Sequence, residues 1–239
     1  MSRPASSAGF DHRGPFQGTR VSGRGRAGWR TLAWLLLPLA LLACGKKKDD
    51  VSGNPDDATR FLIQHNARFN DGHTVRWPRL PVRVFANNIA REDEVTEWAR
   101  ASGGRVTFAF VGSASGSDIR FRFGGGNDVC GLTTVVYDTN GEIKSVDIQV
   151  VQDVFRGPQC VRTVVHETGH AIGFLDHTDD GGLMDDDGGS GVITGPVANM
   201  IRNLYSLPPG TFLGSEERRQ TLERRTGRRV VTIVDPIRR

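Results

Sequence analysis

The sequence has no apolar run long enough to cross a bilayer as a helix, which takes about 20 residues. Its longest apolar run, residues 32–43, is 12 residues long and follows three basic residues, Arg24, Arg26 and Arg30. A short apolar run behind a basic segment is typical of a secretory signal peptide. We therefore expect residues 1–43 to be an export signal that is not part of the fold.

The rest of the chain lacks a charge excess of either sign. The whole sequence carries a formal charge of +4, but residues 1–43 contribute a net +5 from six arginines and one aspartate. The remaining 196 residues therefore carry a formal charge of −1. This balance predicts no nucleic-acid partner. No internal repeat divides these residues, and their number suffices for one domain with a buried core.

One short motif dominates the second half of the chain. His166 and His170 are four residues apart, so on a helix they lie on one face, one turn from each other. Glu167 between them can reach a water molecule on a metal ion that both histidines hold. Two imidazoles, a third ligand and an open position are typical of catalytic zinc. Gly173 is well placed to end the helix, because glycine accepts the left-handed conformation.

Two neighbouring residues compete for the place of third ligand. Asp176 follows His166 by ten residues, and His177 comes next. We expect Asp176 to be the ligand, because Gly173 turns the backbone and the residue three beyond it returns to the metal. In an extended segment His177 would point the opposite way and line the cleft or orient a neighbour. His177 remains the alternative ligand.

The stretch His166-Glu167-Thr168-Gly169-His170, followed by Gly173, a third ligand and the later Met184, resembles the metzincin metallopeptidases. With Asp176 and His177 it is most similar to the snapalysin family of small secreted bacterial proteases. The specific part of the resemblance covers about twenty residues. It implies zinc ligands His166, His170 and Asp176, the general base Glu167, and a Met-turn at Met184 beneath the metal.

The periodicity of apolar residues gives an order of elements that is similar to this family. Strands are expected at residues 80–85, 105–111, 117–123, 132–137 and 145–151, and helices at 91–101, from about 160 onward, and at 196–207. The implied fold class is α+β, metzincin-like: a twisted mixed five-stranded sheet with an antiparallel edge strand, a zinc-binding active-site helix and a C-terminal helix. The edge strand, near residues 131–136, could take an extended peptide as an added strand. The catalytic domain is expected to span residues 58–214.

The sequence has only three cysteines, one of which is expected to be lipidated and two of which are expected to form a disulfide. Leu41-Leu42-Ala43-Cys44 resembles the bacterial lipobox, which implies lipid on Cys44 and a chain held at a cell-envelope membrane. An ordinary secretory signal is the alternative. Residues 44–57 would then be a flexible tether. In an exported protein Cys130 and Cys160 are expected to form a disulfide, with two buried free thiols as the alternative.

Two further segments have ambiguous composition. Residues 178–191 are rich in aspartate and glycine, and could bind calcium or form a solvated loop beside the site. Their spacing is not that of an EF-hand. Residues 215–239 contain eight arginines and are expected to be a basic appendage with a strand at 229–234. This appendage could contact anionic lipid, or simply be a solvated face.

Together these features predict a monomeric, exported zinc endopeptidase that acts on protein or peptide substrates. A second enzymatic hypothesis is a hydrolase that uses the same residues to cleave cell-wall cross-linking peptides. The competing class is a lipid-anchored binding or structural protein with a silent zinc site. Structural zinc is closed by four protein ligands, so a fourth ligand from His177, Asp179 or Asp180 would favour that class.

Overall fold

The structure is a computed structural model, and it describes residues 55–124, 129–151, 160, 162–186, 188–214 and 227–236. The expected signal peptide, Cys44, most of the expected tether and residues 215–226 lie outside the described residues. No helix within the described part of the chain is long and apolar enough to span a membrane.

The described residues form four α-helices, one short 3-10 helix and six strands. The helices are α1 (Pro55–His65), the 3-10 helix (Ala67–Asn70), α2 (Glu92–Ala101), α3 (Thr163–Ala171) and α4 (Gly195–Leu204). The strands are β1 (Val82–Phe85), β2 (Phe108–Phe110), β3 (Ile119–Phe123), β4 (Val129–Asp138), β5 (Ile143–Val150) and β6 (Arg228–Pro236). The five expected strands and three expected helices are all present, with ends that differ by a few residues; β4 is longer than expected and β1 to β3 are shorter. Helix α1 was not predicted.

All six strands belong to one mixed sheet in the order β2-β1-β3-β5-β4-β6. Strands β2, β1, β3 and β5 are parallel, and β4 runs antiparallel to β5. The expectation of a mixed α+β sheet with an antiparallel strand beside the motif helix is therefore confirmed. The expected count of five strands is wrong, because the C-terminal segment adds a sixth.

The sixth strand also changes the position of β4, which was expected to be an open edge. Strand β6 pairs antiparallel with β4 along its whole length, from Val129 opposite Pro236 to Asp138 opposite Arg228. Its central residues, Val230 to Val234, are all β-branched and suit a pleated surface. The basic C-terminal segment thus contains the outer strand of the sheet rather than a separate appendage.

Helix α3 lies between α2 and the sheet, where every side chain from Val164 to Ala171 is buried. Two tryptophans fix it through main-chain carbonyls: Trp98 Nε1 donates to the carbonyl of Val165 at 2.7 Å, and Trp77 Nε1 donates to that of Ala171 at 2.8 Å. The helix therefore has a single position relative to its neighbours, which is what a site built on its side chains requires.

The predicted disulfide is present, with the sulfurs of Cys130 and Cys160 2.08 Å apart. It joins the beginning of β4 to the chain just before α3. The strand beside the motif helix and the entry to that helix are therefore covalently connected, in addition to packing against each other.

Candidate metal centre

The two motif histidines are oriented by main-chain carbonyls at their far nitrogens. His166 Nδ1 lies 2.5 Å from the carbonyl oxygen of Leu183, and His170 Nδ1 lies 2.5 Å from that of Phe174. A carbonyl oxygen only accepts, so each Nδ1 must carry the proton. In the neutral imidazole this leaves a lone pair on Nε2, the nitrogen that a metal would bind.

A third histidine and a carboxylate meet these two nitrogens. Ligand atoms of His166, His170, His177 and Asp235 all lie within 4.8 Å of one another. The Nε2 atoms of His166 and His170 are 3.0 Å apart, and Asp235 Oδ1 lies 3.2 Å from Nε2 of His166 and 2.5 Å from Nε2 of His177. The group is almost entirely buried, with only His177 partly exposed.

This donor set fits a metal ion on chemical grounds. The lone pairs on Nε2 of His166 and His170 face each other at 3.0 Å, which is unfavourable unless a cation or a proton lies between them. Two carboxylate oxygens, Glu167 Oε1 and Asp235 Oδ2, are buried without a hydrogen-bond partner among the described residues. Imidazole ligands with one carboxylate suit zinc and other first-row metals. The four residues could therefore hold a metal ion, whose identity the structure does not define.

Burial and charge in this group shift several pKa values. Burial lowers the pKa of His170 to about 4, so this imidazole is neutral and able to bind a metal at physiological pH. Burial raises the pKa of Glu167 well above its usual range, and the negative charge of Asp235 raises it further. Burial alone would raise the pKa of Asp235, but its interactions with Glu167 and the three histidines outweigh burial and lower it.

Asp176, the expected third ligand, is not part of this group. Its Oδ2 accepts a hydrogen bond from Arg68 Nη2 at 2.5 Å and lies 3.4 Å from His65 Nδ1. The chain does turn at Gly173, where φ is +108°. The side chains then alternate with the opposite phase to the one expected, so Asp176 faces α1 and His177 faces the motif histidines. Of the two residues considered, His177, the alternative, is therefore the one that lies in the group.

The turn at Gly173 decides which of the two side chains, that of Asp176 or that of His177, faces the motif histidines. It is held by the end of α1 and by Asn66, the residue after it. Asn66 Nδ2 donates to the carbonyls of Gly173 and Val75, both at 2.7 Å, and Leu175 N donates to the carbonyl of His65 at 2.8 Å. A side chain on Gly173 would begin 2.7 Å from the carbonyl oxygen of Val75. The position of His177 thus depends on a helix that precedes the motif by about a hundred residues in the sequence.

Glu167 lies against β4, which leaves a niche for its carboxylate. Thr133 Oγ1 donates to Glu167 Oε2 at 2.5 Å. At Gly131 a Cβ atom would come within 1.8 Å of Glu167 Oε1, so only glycine is compatible with this arrangement. The carboxyl group is therefore held by the hydrogen bond from Thr133 and by contact with the strand backbone, and it also interacts with Asp235.

Met184 packs against the motif helix, and its role in a Met-turn stays a prediction. It is fully buried, and its sulfur would be 2.6 Å from a Cβ placed on Gly169 of α3. The preceding carbonyl, of Leu183, is the one that orients His166. The neighbouring Asp185 accepts hydrogen bonds from Thr178 Oγ1 at 2.6 Å and from the backbone N–H of Gly181 at 2.8 Å.

The acidic loop that was considered for calcium is organised by its own hydrogen bonds. Besides Asp185, Asp180 accepts from Thr178 Oγ1, from the N–H of Gly182 and from Thr194 Oγ1, at 2.6–3.0 Å. These bonds give the carboxylates donors within the loop. Calcium binding stays a prediction.

Two residues of the site were missed by the sequence analysis, Thr133 and Asp235. A signal for Asp235 was available: it stands two positions after Ile233 and four after Val231, on the apolar face of a short strand. A carboxylate at such a position is buried only if it has charged or metal partners. Thr133 carries no comparable signal, because threonine is common in strands.

Comparison of the chain with protein-family models, with curated proteins and with solved structures found no match.

Proposed function

We propose that this chain is a zinc-dependent endopeptidase of the metzincin type, with His166, His170 and His177 as the zinc ligands. The observation that carries the proposal is the convergence of three Nε2 atoms beside Glu167, a buried carboxyl group that Thr133 holds through Oε2 and that interacts with Asp235. A structural histidine cluster has no need of a carboxylate at this place.

Zinc, when bound, would polarise the scissile carbonyl and make a water molecule more acidic. Glu167 is the general base: it accepts the proton of the water whose oxygen adds to the carbonyl carbon. When the carbon–nitrogen bond breaks, Glu167 returns the proton to the amine. Thr133 keeps the carboxylate in place through Oε2, and the carbonyls of Leu183 and Phe174 keep the imidazoles in the required tautomer.

We extend the proposal to the place where the protein acts. The Cys130–Cys160 disulfide is typical of an exported protein. With the signal-like residues 1–43 and the lipobox-like Cys44, it supports a lipoprotein of the bacterial cell envelope that acts on protein or peptide substrates. Peptides that cross-link the cell wall are a second substrate class for the same chemistry.

A second function is favoured by Asp235, which gives the group a fourth protein ligand. Structural zinc sites are closed in this way, whereas catalytic sites keep a position for substrate. In that case the chain would be an anchored binding or structural protein.

The test measures zinc content and casein hydrolysis for four proteins: the natural chain, Glu167→Gln, Asp235→Asn and the double variant. Asp235→Asn is included because a fourth ligand would mask activity. Glutamine cannot accept the proton, so we expect zinc to remain and hydrolysis to fall by about 100-fold or more. Full hydrolysis by Glu167→Gln would refute the role of Glu167. Loaded zinc without hydrolysis in either background would favour the structural function.

A further inference from the structure

We infer that β6 is an internal inhibitor of the site: the strand occupies the substrate-binding edge of β4, and Asp235 takes the ligand position that substrate and water would use. This inference rests on the proposed function and concerns its regulation. Four observations support it, and they come from the main chain, the side chains, the geometry at Gly131 and the attachment of the strand.

The main-chain groups of β4 that face away from β5 are taken by β6. Nine residue pairs join the two strands without a break in direction, from Val129 with Pro236 to Asp138 with Arg228. An extended peptide that binds as an added strand needs these same N–H and C=O groups. Substrate and β6 therefore exclude each other at this edge.

The side chains of β6 alternate between the site and solvent. Ile233 and Asp235 are buried, whereas Val230 and Val234 are 59% and 44% exposed. A strand that served only to complete the sheet would have apolar residues on its inner face. Here the inner face ends in a carboxylate that reaches three histidines, with Oδ1 2.5 Å from Nε2 of His177.

The position of Asp235 along β4 is also the position of the general base. Asp235 lies opposite Gly131 in the ladder, and Gly131 is the residue against which the Glu167 carboxylate packs. A peptide bond that undergoes hydrolysis must lie between the zinc ligands and Glu167. Asp235 occupies that place, so the docked strand blocks the reaction centre as well as the peptide-binding edge.

The strand is attached in a way that permits release. Among the described residues it is the outermost strand of the sheet, paired on one side with β4. Its side-chain anchor at the far end from the site is Arg229, whose Nη2 donates to Asp71 Oδ2 at 2.5 Å and whose Nη1 donates to the carbonyl of Phe69 at 3.4 Å. His166 and His170 are oriented by the carbonyls of Leu183 and Phe174, and the turn at Gly173 fixes the backbone that leads to His177, whose ring contacts Asp235.

The experiment uses the full chain, loaded with zinc, and three variants. Asp235→Asn keeps the shape of the side chain and removes the charged ligand. Ile233→Glu places a charge on the buried face and undocks the strand without altering Asp235. Val234→Thr is the matched control, since it changes a neighbouring exposed residue and keeps a β-branched side chain.

The first measurement is the affinity for a dipeptide hydroxamate, which binds zinc only where the metal has open positions. If the strand is docked in about 99% of molecules, its release raises the apparent affinity about 100-fold. We expect such an increase for Asp235→Asn and Ile233→Glu, with zinc content unchanged, and none for Val234→Thr. Casein hydrolysis should rise in the same two variants. Amide exchange of β4 residues 131–136 should become faster in Ile233→Glu.

The results separate the two proposals. Equal hydroxamate affinity and equal hydrolysis in all four proteins would overturn the inhibitory role of β6, while hydrolysis itself would sustain the endopeptidase. Increased hydroxamate affinity without hydrolysis in any protein would sustain the blocking strand and contradict the endopeptidase. Loss of zinc from Asp235→Asn and Ile233→Glu alike would identify Asp235 as a required structural ligand and overturn the inference.

Discussion

The site is built by two regions with different relations to the rest of the fold. The first, α3 with the chain up to His177, provides three histidines within twelve residues and is buried between α2 and the sheet. The second, β6, provides a single carboxylate from 58 residues further along and lies at the outer edge of the sheet. The first region has several independent contacts to the core, whereas the second depends mainly on one neighbouring strand.

In the proposed zinc site, the first region would bind the metal and the second would control access to it. His166 and His170 lie on a buried helix and are oriented by main-chain carbonyls, and the backbone that leads to His177 is held by the turn at Gly173. The carboxylate is placed by an edge strand, and edge elements open at lower free energy than core elements. In the zinc site that we propose, the three histidines can therefore remain in place while Asp235 leaves.

The largest expected effect distinguishes His177 from its neighbour Asp176. Zinc binding to a protein site is worth about 10–16 kcal/mol, so loss of one of the three histidine ligands should cost about 4 kcal/mol, or roughly 1,000-fold in affinity. His177→Ala should therefore lose zinc in a competition titration with a chelator. Asp176→Ala is the matched control, and should retain zinc while changing stability by about 1 kcal/mol or less. The reverse result would restore Asp176 as the ligand.

A smaller effect is expected from the bridge that connects β4 to the chain before α3. The disulfide closes a loop with a sequence separation of 30, and such a loop adds about 3 kcal/mol by restricting the unfolded chain. Cys130→Ser combined with Cys160→Ser should lower the free energy of unfolding by this amount in urea titrations. The matched control is the natural chain under reducing conditions, which should behave like the double variant. An unchanged urea midpoint in both cases would contradict the prediction.

The smallest effect should be confined to β6. Arg229→Ala removes the partly buried ion pair with Asp71 and should weaken docking of the strand by about 1 kcal/mol. Amide exchange should become about fivefold faster in β6 and remain unchanged in α3. Arg228→Ala, at an exposed neighbouring position, is the control. Equal acceleration in α3 would show that the two regions open together and would contradict the contrast drawn above.

Much of the first region could be predicted from the sequence, because its information is local. The spacing of His166 and His170 places both on one face of any helix, and the alternation of β1 to β5 marks each strand. The third ligand shows the limit of local reasoning. The alternation after Gly173 was foreseen, but its phase is set by Asn66 and His65, whose contacts with the turn no local pattern reveals.

The second region could not be predicted in the same way. The strand at residues 229–234 could be predicted from the sequence, but its pairing with β4 could not. Pairing between strands that are distant in sequence produces no periodic pattern. The arginine content of residues 215–239 pointed to a surface appendage. Those arginines do not prevent the segment from being a strand, because Val231, Ile233 and Asp235 alone form its buried face.

The contact between Gly131 and Glu167 has a consequence for how the protein reaches its native state. A shift of β4 by one residue would turn its side chains to the opposite face of the sheet and bring Cys130 or Leu132 against the carboxylate, where no Cβ fits. The same shift would carry Cys130 away from Cys160, whose Cα atoms are 5.2 Å apart in the native pairing. The disulfide therefore forms in the register in which β4 is correctly aligned. The same register leaves room for the Glu167 carboxyl group beside Gly131.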